Sequence, residues 1–226
     1  MCTSRGGGGY QVLNGPTGTH DLTILTTEHL TLQTARQLCL QDMQGRSTMF
    51  LTIVSASLIA IGFFGTATHF GGGFVVFVLA LLTSLWVLGF FTFVRILQAA
   101  VEDVIISFGI ARIRHRYTEI APNLRDSLVR SIHDDFRGIN AEMGSEQSWW
   151  QRLMPTYVVI SFVTSVVSGA VVTFALSEIF RVTPLVQAAA AIATFTINVI
   201  GFRIIAGRLW SSVDRGFPAR YPSDSA

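Results

Sequence analysis

The chain has 226 residues, half of them hydrophobic and only 13% charged, with a mean hydropathy of +0.50 and a formal net charge of +2. A soluble domain carries about 25% charged residues, so the composition argues against an ordinary water-soluble enzyme and points to a membrane. No basic stripe of the kind that binds nucleic acid is visible, and no nucleic-acid partner is expected.

Residues 1–25 are rich in Gly and Thr and read as a disordered tail. Met1-Cys2-Thr3-Ser4-Arg5 and the four glycines after it lack the apolar run of a signal peptide, and none is expected. A helix over 26–47 is predicted to start with Thr26 or Thr27 as N-cap and Glu28 in its first turn, where the dipole favours an acid. Leu32, Ala35, Cys39, Asp42 and Arg46 follow one face of it. Gly45 is a weak breaker, so one continuous helix is expected from about Glu28 into the first span, as far as Phe64.

Charge placement locates the membrane, because a charge at the bilayer centre costs about 2.5–3.5 kcal/mol. No charged residue occurs for 48 positions between Arg46 and Arg95, for 25 between Arg152 and Glu178, or for 21 between Arg181 and Arg203. A spanning helix needs about 20 apolar residues. The first window therefore holds two spans, with a turn at Thr66–Gly73 marked by three glycines, and the other two windows hold one each. The predicted spans lie near Thr48–Gly65, Phe74–Val94, Thr156–Leu176 and Leu185–Phe202. They form a first hairpin over 48–94 and a second over 156–205. The expected fold is all-α, a four-helix transmembrane protein with helical cytoplasmic extensions over 95–155 and a cytoplasmic tail over 206–226.

Lys is absent, and fifteen Arg fall on the side of the termini and the 95–155 connection against Arg181 alone on the other. The positive-inside rule then puts both termini and the connection in the cytoplasm, and the chain in the inner (plasma) membrane. Cys2 and Cys39 share that reducing side, so no disulfide is expected.

Past Arg95 the positions Leu97, Val101, Val104, Ile105, Phe108 and Ile113 keep a helical period up to Ala121-Pro122, where proline disfavours helix at the preceding residue. Asn123 is predicted to cap a helix from Leu124 to Arg137, with Leu124, Leu128, Ile132 and Phe136 on its apolar face. Asp126–Arg130 and Arg130–Asp134 would pair on its wet side, and Gly138 would end it. Trp149, Trp150 and Arg152 read as the belt where the chain re-enters the bilayer, and Thr183-Pro184 as the start of the fourth span. The 28–46, 95–120 and 124–137 helices are each one-sided, and a cytoplasmic bundle would bury their apolar faces.

Four groups of residues invite a functional reading. His133-Asp134-Asp135 lacks converging ligands, so a solvated helix face is favoured over a metal site. Arg112 and Arg116 share a face with Arg114 opposite, so the cluster cannot clamp one phosphate and suits salt bridges or a cytoplasmic interaction. On the third span Ser161, Ser165, Gly169 and Thr173 stand at i,i+4 spacing, a packing seam before it is a hydroxyl-lined pore face. Gln187, Thr194 and Asn198 make a similar stripe on the fourth span, costly in lipid unless paired. The sequence contains no phosphate loop, nucleophile elbow or metal-ligand spacing, so no catalysis, cofactor or metal is expected.

Thr26-Thr27-Glu28-His29, Leu32-Gln33-Thr34-Ala35-Arg36 and Arg46 before a span, with Arg95-Ile96-Leu97-Gln98, Ile110-Ala111-Arg112-Ile113-Arg114, Glu119-Ile120-Ala121-Pro122 and His133-Asp134-Asp135, carry a resemblance over about residues 26–205. They resemble a group of uncharacterised four-span integral membrane proteins of high-GC Gram-positive bacteria. The resemblance implies no activity and no functional residue. The expected function is a non-enzymatic multi-pass membrane protein that forms a homo-oligomer, with a pore through the third and fourth spans. The alternative is a membrane-anchored scaffold or signalling adaptor whose cytoplasmic helices bind a partner protein.

Overall fold

A computed structural model describes residues 16–142, 155–180 and 182–223, and every regular element among them is helical. Helix α1 runs Pro16–Ala67, α2 Gly72–Ile120, α3 Phe136–Glu142, α4 Thr156–Ala175 and α5 Pro184–Gly216. A short 3-10 helix spans Pro122–Ser127, and a π turn, Leu176–Phe180, closes α4. Four of these helices are long and apolar enough to cross a membrane, the make-up of a multi-pass membrane protein. At 1.5 Å per residue, α1 and α2 are each roughly 75 Å long, more than twice a bilayer's apolar core. Both therefore carry a long stretch beyond the lipid.

Proline sets several boundaries. Helix α2 stops at Ile120 because Pro122 follows, and Ala121 leaves the helical region. Pro184 takes the first position of α5, where its missing N–H has no helical acceptor to lose, and Thr183 is the N-cap residue. The turn between α1 and α2 falls within the expected Thr66–Gly73 stretch. Its left-handed residues are His69 (φ 50°) and Phe70 (φ 57°), not the glycines. This geometry lays Phe70 against Gly65, where a Cβ would come 2.7 Å from the Phe70 ring.

Packing is layered along the bundle axis. α2 lies between α1 and α4, and α4 between α2 and α5. Phe74, Val78, Leu82, Leu85 and Val167 fill the half nearer the α1–α2 turn. Phe50, Phe93, Ile96, Leu97, Ile160 and Phe202 fill the half nearer Arg46 and Arg95. Beyond the lipid a third cluster joins Phe108 of α2, Ile139 of α3 and Val213 of α5, flanked by Phe136 and Trp210. The long helices α1 and α2 stay paired there through Arg36–Asp103 (3.0 Å), Leu32 on Gly109, and His29 facing Tyr117.

Three sequence expectations are corrected. The N-terminal tail does not reach residue 25, because α1 begins at Pro16 and the threonines expected to cap it lie inside it. Their hydroxyls bond back one turn, Thr26 to the Leu22 carbonyl and Thr27 to that of Thr23. The 206–226 segment, to which the sequence alone assigns no secondary structure, is helical as far as Gly216, since Val213 has a core to enter. The helix expected over 124–137 is absent: only the Pro122–Ser127 turn and α3 form, and 128–135 is irregular. Side-chain-to-backbone bonds win there over the helical ladder. Ser131 Oγ accepts the His133 amide, and Asp135 accepts the Gly138 amide as a cap for α3. Gly138 does not end a helix but sits in the first turn of α3, where a Cβ would come 2.6 Å from the His133 carbonyl oxygen. Trp149, Trp150, Arg152 and Arg181 lie outside the described residues.

Candidate functional site

In the membrane region the two polar stripes face inward and are largely satisfied by their own helices. Ser161 and Ser165 of α4 are buried, and with Thr173 they donate to the carbonyls of Val158, Ser161 and Gly169 at 2.7–2.9 Å. Gly169 brings α4 onto α5, since a Cβ there would lie 3.4 Å from the Ala191 carbonyl oxygen. Gln187 donates to the Val182 carbonyl, closing the start of α5. Asn198 reaches α2 as well as its own helix. It donates to the Thr194 carbonyl and accepts the Trp86 indole N–H of α2 at 3.2 Å. The stripes thus meet neighbours within the chain, and these bonds trace no continuous polar path through the described residues.

Sequence reasoning passed over the tightest contact, which lies one position away from the α4 stripe. Thr164, fully buried, sits against Gly89 of α2 and the Phe50 ring of α1. A Cβ on Gly89 would fall inside contact distance of Thr164 Oγ1, with Thr164 Cγ2 at 2.9 Å and Phe50 at 3.0 Å. The available signal was a glycine in mid-helix of an apolar span, the small residue that lets backbones approach in lipid.

Outside the membrane Asp134, Asp135 and Arg112 meet the C-terminal segment. Asp134 is 1% exposed, and its carboxylate accepts Arg112 Nε (2.5 Å) and the backbone amides of Arg220 (2.9 Å) and Tyr221 (2.7 Å). Asp135 takes the amide and hydroxyl of Ser223, besides the Gly138 amide. Arg112 also donates to the Pro218 carbonyl, and His115 stacks on Tyr221 with ring centroids 3.6 Å apart. His133-Asp134-Asp135 is therefore not a solvated helix face but a latch that straps residues 218–223 across α2. No metal-holding group of His, Cys, Asp or Glu occurs among the described residues.

Burial pushes the Asp134 carboxyl up, and the bonds from Arg220, Arg112 and Tyr221 outweigh it, holding it below the ordinary aspartate range. Burial likewise raises Asp135, and the Ser223 and Gly138 bonds outweigh that. The three arginines have separate surroundings: Arg112 meets Asp134, Arg116 meets Glu119, and Arg114 is buried beside the Ser131 carbonyl.

Arg114 also borders a cavity of about 590 Å3 between α1, α2 and the 127–130 segment, with His29, Gln33, Arg36 and Gln37 on its walls. Burial first, and the Arg114 charge second, hold His29 below the usual histidine range, which keeps the ring neutral near pH 7. Beside this cavity Ile24, Leu30 and Leu38 of α1 are exposed among polar neighbours such as Thr27, Thr31 and Thr34.

No family model, no curated protein and no solved structure matches this chain.

Proposed function

We propose that the chain is a non-enzymatic, membrane-anchored adaptor of the bacterial inner membrane, with its Arg-rich layer in the cytoplasm as the docking platform for a partner protein. One observation carries this reading. Helix α1 overshoots its partner, because His29 lies beside Tyr117 and α2 ends at Ile120, so residues 16–25 have no α2 alongside. Leu22 and Ile24 of that arm are exposed, as are Leu30, Leu38 and Leu40 in the stretch that pairs with α2, and this is water rather than lipid if Arg46 marks the boundary. A short isolated helix is marginal in water, so a partner that covers these residues would stabilise it. The satisfied hydroxyls of Ser161, Ser165 and Thr173 lend less support to a pore or to assembly through that face.

Changing Leu30 and Leu38 together to Glu should leave insertion and thermal stability within about 0.5 kcal/mol of wild type, as for other exposed positions. The same change should abolish crosslinking from position 34 to a second, different protein in intact membranes. An adduct of two copies of this chain would favour the homo-oligomer instead. Steady conductance from the purified protein in planar bilayers would favour the pore.

A further inference from the structure

At the Arg-rich end of the bundle, a groove of about 220 Å3 opens between α4 and α5. Phe93, Tyr157, Phe162, Phe195, Phe202 and Arg203 wall it. Phe93 packs on Phe202 (4.4 Å between ring centroids) and meets Tyr157 (6.4 Å), which sets Tyr157, Phe202 and Arg203 at one depth. Phe162 and Phe195 meet edge-on at 5.6 Å. They lie farther along α4 and α5, roughly 8–10 Å deeper at 1.5 Å per residue. The groove therefore runs from a cationic, tyrosine-bearing mouth to an aromatic floor, along the direction in which a lipid lies.

Arg203 is exposed and belongs to none of the ion pairs among the described residues. Its neighbours on the groove wall are apolar or hydroxyl-bearing, so nothing there neutralises the guanidinium. We propose that this groove is a site for one anionic phospholipid, with the phosphate on Arg203 and an acyl chain along Phe202, Phe162 and Phe195. Charge complementarity selects the lipid. A zwitterionic headgroup would bring a second cation beside the guanidinium, whereas an anionic one brings none, and basic pockets between spans on the cytoplasmic side take anionic headgroups. The assignment rests on the four-span reading with the Arg-rich end at the inner leaflet.

The test uses the full-length protein in detergent, titrated with phosphatidylglycerol or phosphatidylcholine and weighed with its bound lipid by native mass spectrometry. The wild type should retain one phosphatidylglycerol about fivefold more tightly than phosphatidylcholine, the preference expected for one arginine near the surface. Arg203→Gln should lose that preference while keeping the wild-type melting midpoint. Arg208→Gln, one turn farther out, should keep the preference. Equal retention of the two lipids by wild type would overturn the proposal, as would an unchanged preference in Arg203→Gln. Displacement of phosphatidylglycerol by an equal concentration of inorganic phosphate would overturn it too, and so would a disulfide between two copies through Phe162→Cys in vesicles. Failure of the four-span reading is scored separately and first, by whether the chain stays in solution without detergent.

Discussion

Valine in place of Gly89 is expected to be the most damaging single change in the membrane region. The position has no room for a first carbon, since Thr164 and Phe50 already occupy its surroundings, and Thr164 is fully buried. Thr164 cannot rotate away freely, because its hydroxyl donates to the Ile160 carbonyl at 2.8 Å. Overpacking of this kind costs typically 1–3 kcal/mol, and the valine belongs at the upper end. For a chain of this size, that lowers the melting midpoint in detergent by roughly 5–10 °C. Gly89→Ala should fall partway, and adding Thr164→Ala should return most of the loss, because the second change removes the atoms that the new methyl meets. Additive losses in the double variant would mean that α2 and α4 do not approach as described.

The second large effect is expected at Asp134. Its side chain has no exposed surface, and Asp134→Ala would leave Arg112, itself only 28% exposed, without its carboxylate and the Arg220 and Tyr221 amides without their acceptor. Breaking a buried pair by removing one partner costs about 3–5 kcal/mol. Arg112 is partly wet, so the lower end, about 3 kcal/mol, is the expectation here. The loss falls on the strap and not on the spans. Trypsin should therefore cut at Arg215 and Arg220 about a hundredfold faster, with the melting of the membrane region little changed. Acid should imitate the substitution. Asp134 and Asp135 sit below their ordinary 3.8 when folded, so their contribution is complete above that value and is lost as pH falls through the lower folded value. Protection of residues 218–223 from cleavage by an acid-active protease should thus hold at pH 5 and fail well below pH 4.

The spans were legible because lipid forbids what the intervening segments use freely. Three charge-free windows, with Pro122 as a stop and Pro184 as a start, located four long helices without any knowledge of their contacts. The extension of α2 beyond Arg95 was legible for a related reason: Phe108 and Ile113 kept the helical period where water would not demand it. The latch was hidden. Nothing in local periodicity ties Asp134 to the amides of Arg220 and Tyr221, and the Leu128, Ile132 and Phe136 spacing that suggested one helix runs through an irregular stretch, 128–135, to the first residue of α3. Ser131, Asp134 and Asp135 carried the only local warning, as residues that compete with the helix for backbone bonds. The stripe of Ser161, Ser165, Gly169 and Thr173 was visible, but spacing alone does not say which neighbour a small residue meets. Gly169 meets α5, whereas Thr164, one position off the stripe, meets α2.

Side-specific labelling tests the arrangement of the whole chain most directly. Single cysteines at His69, in the α1–α2 turn, and at Val129, fully exposed in the Arg-rich layer, would be placed in a cysteine-free background. A membrane-impermeant maleimide should label position 69 in intact cells and position 129 only after the membrane is opened. Labelling of both positions from the same side, or of position 129 in intact cells, would contradict a bilayer lying between the glycine turn and the arginines.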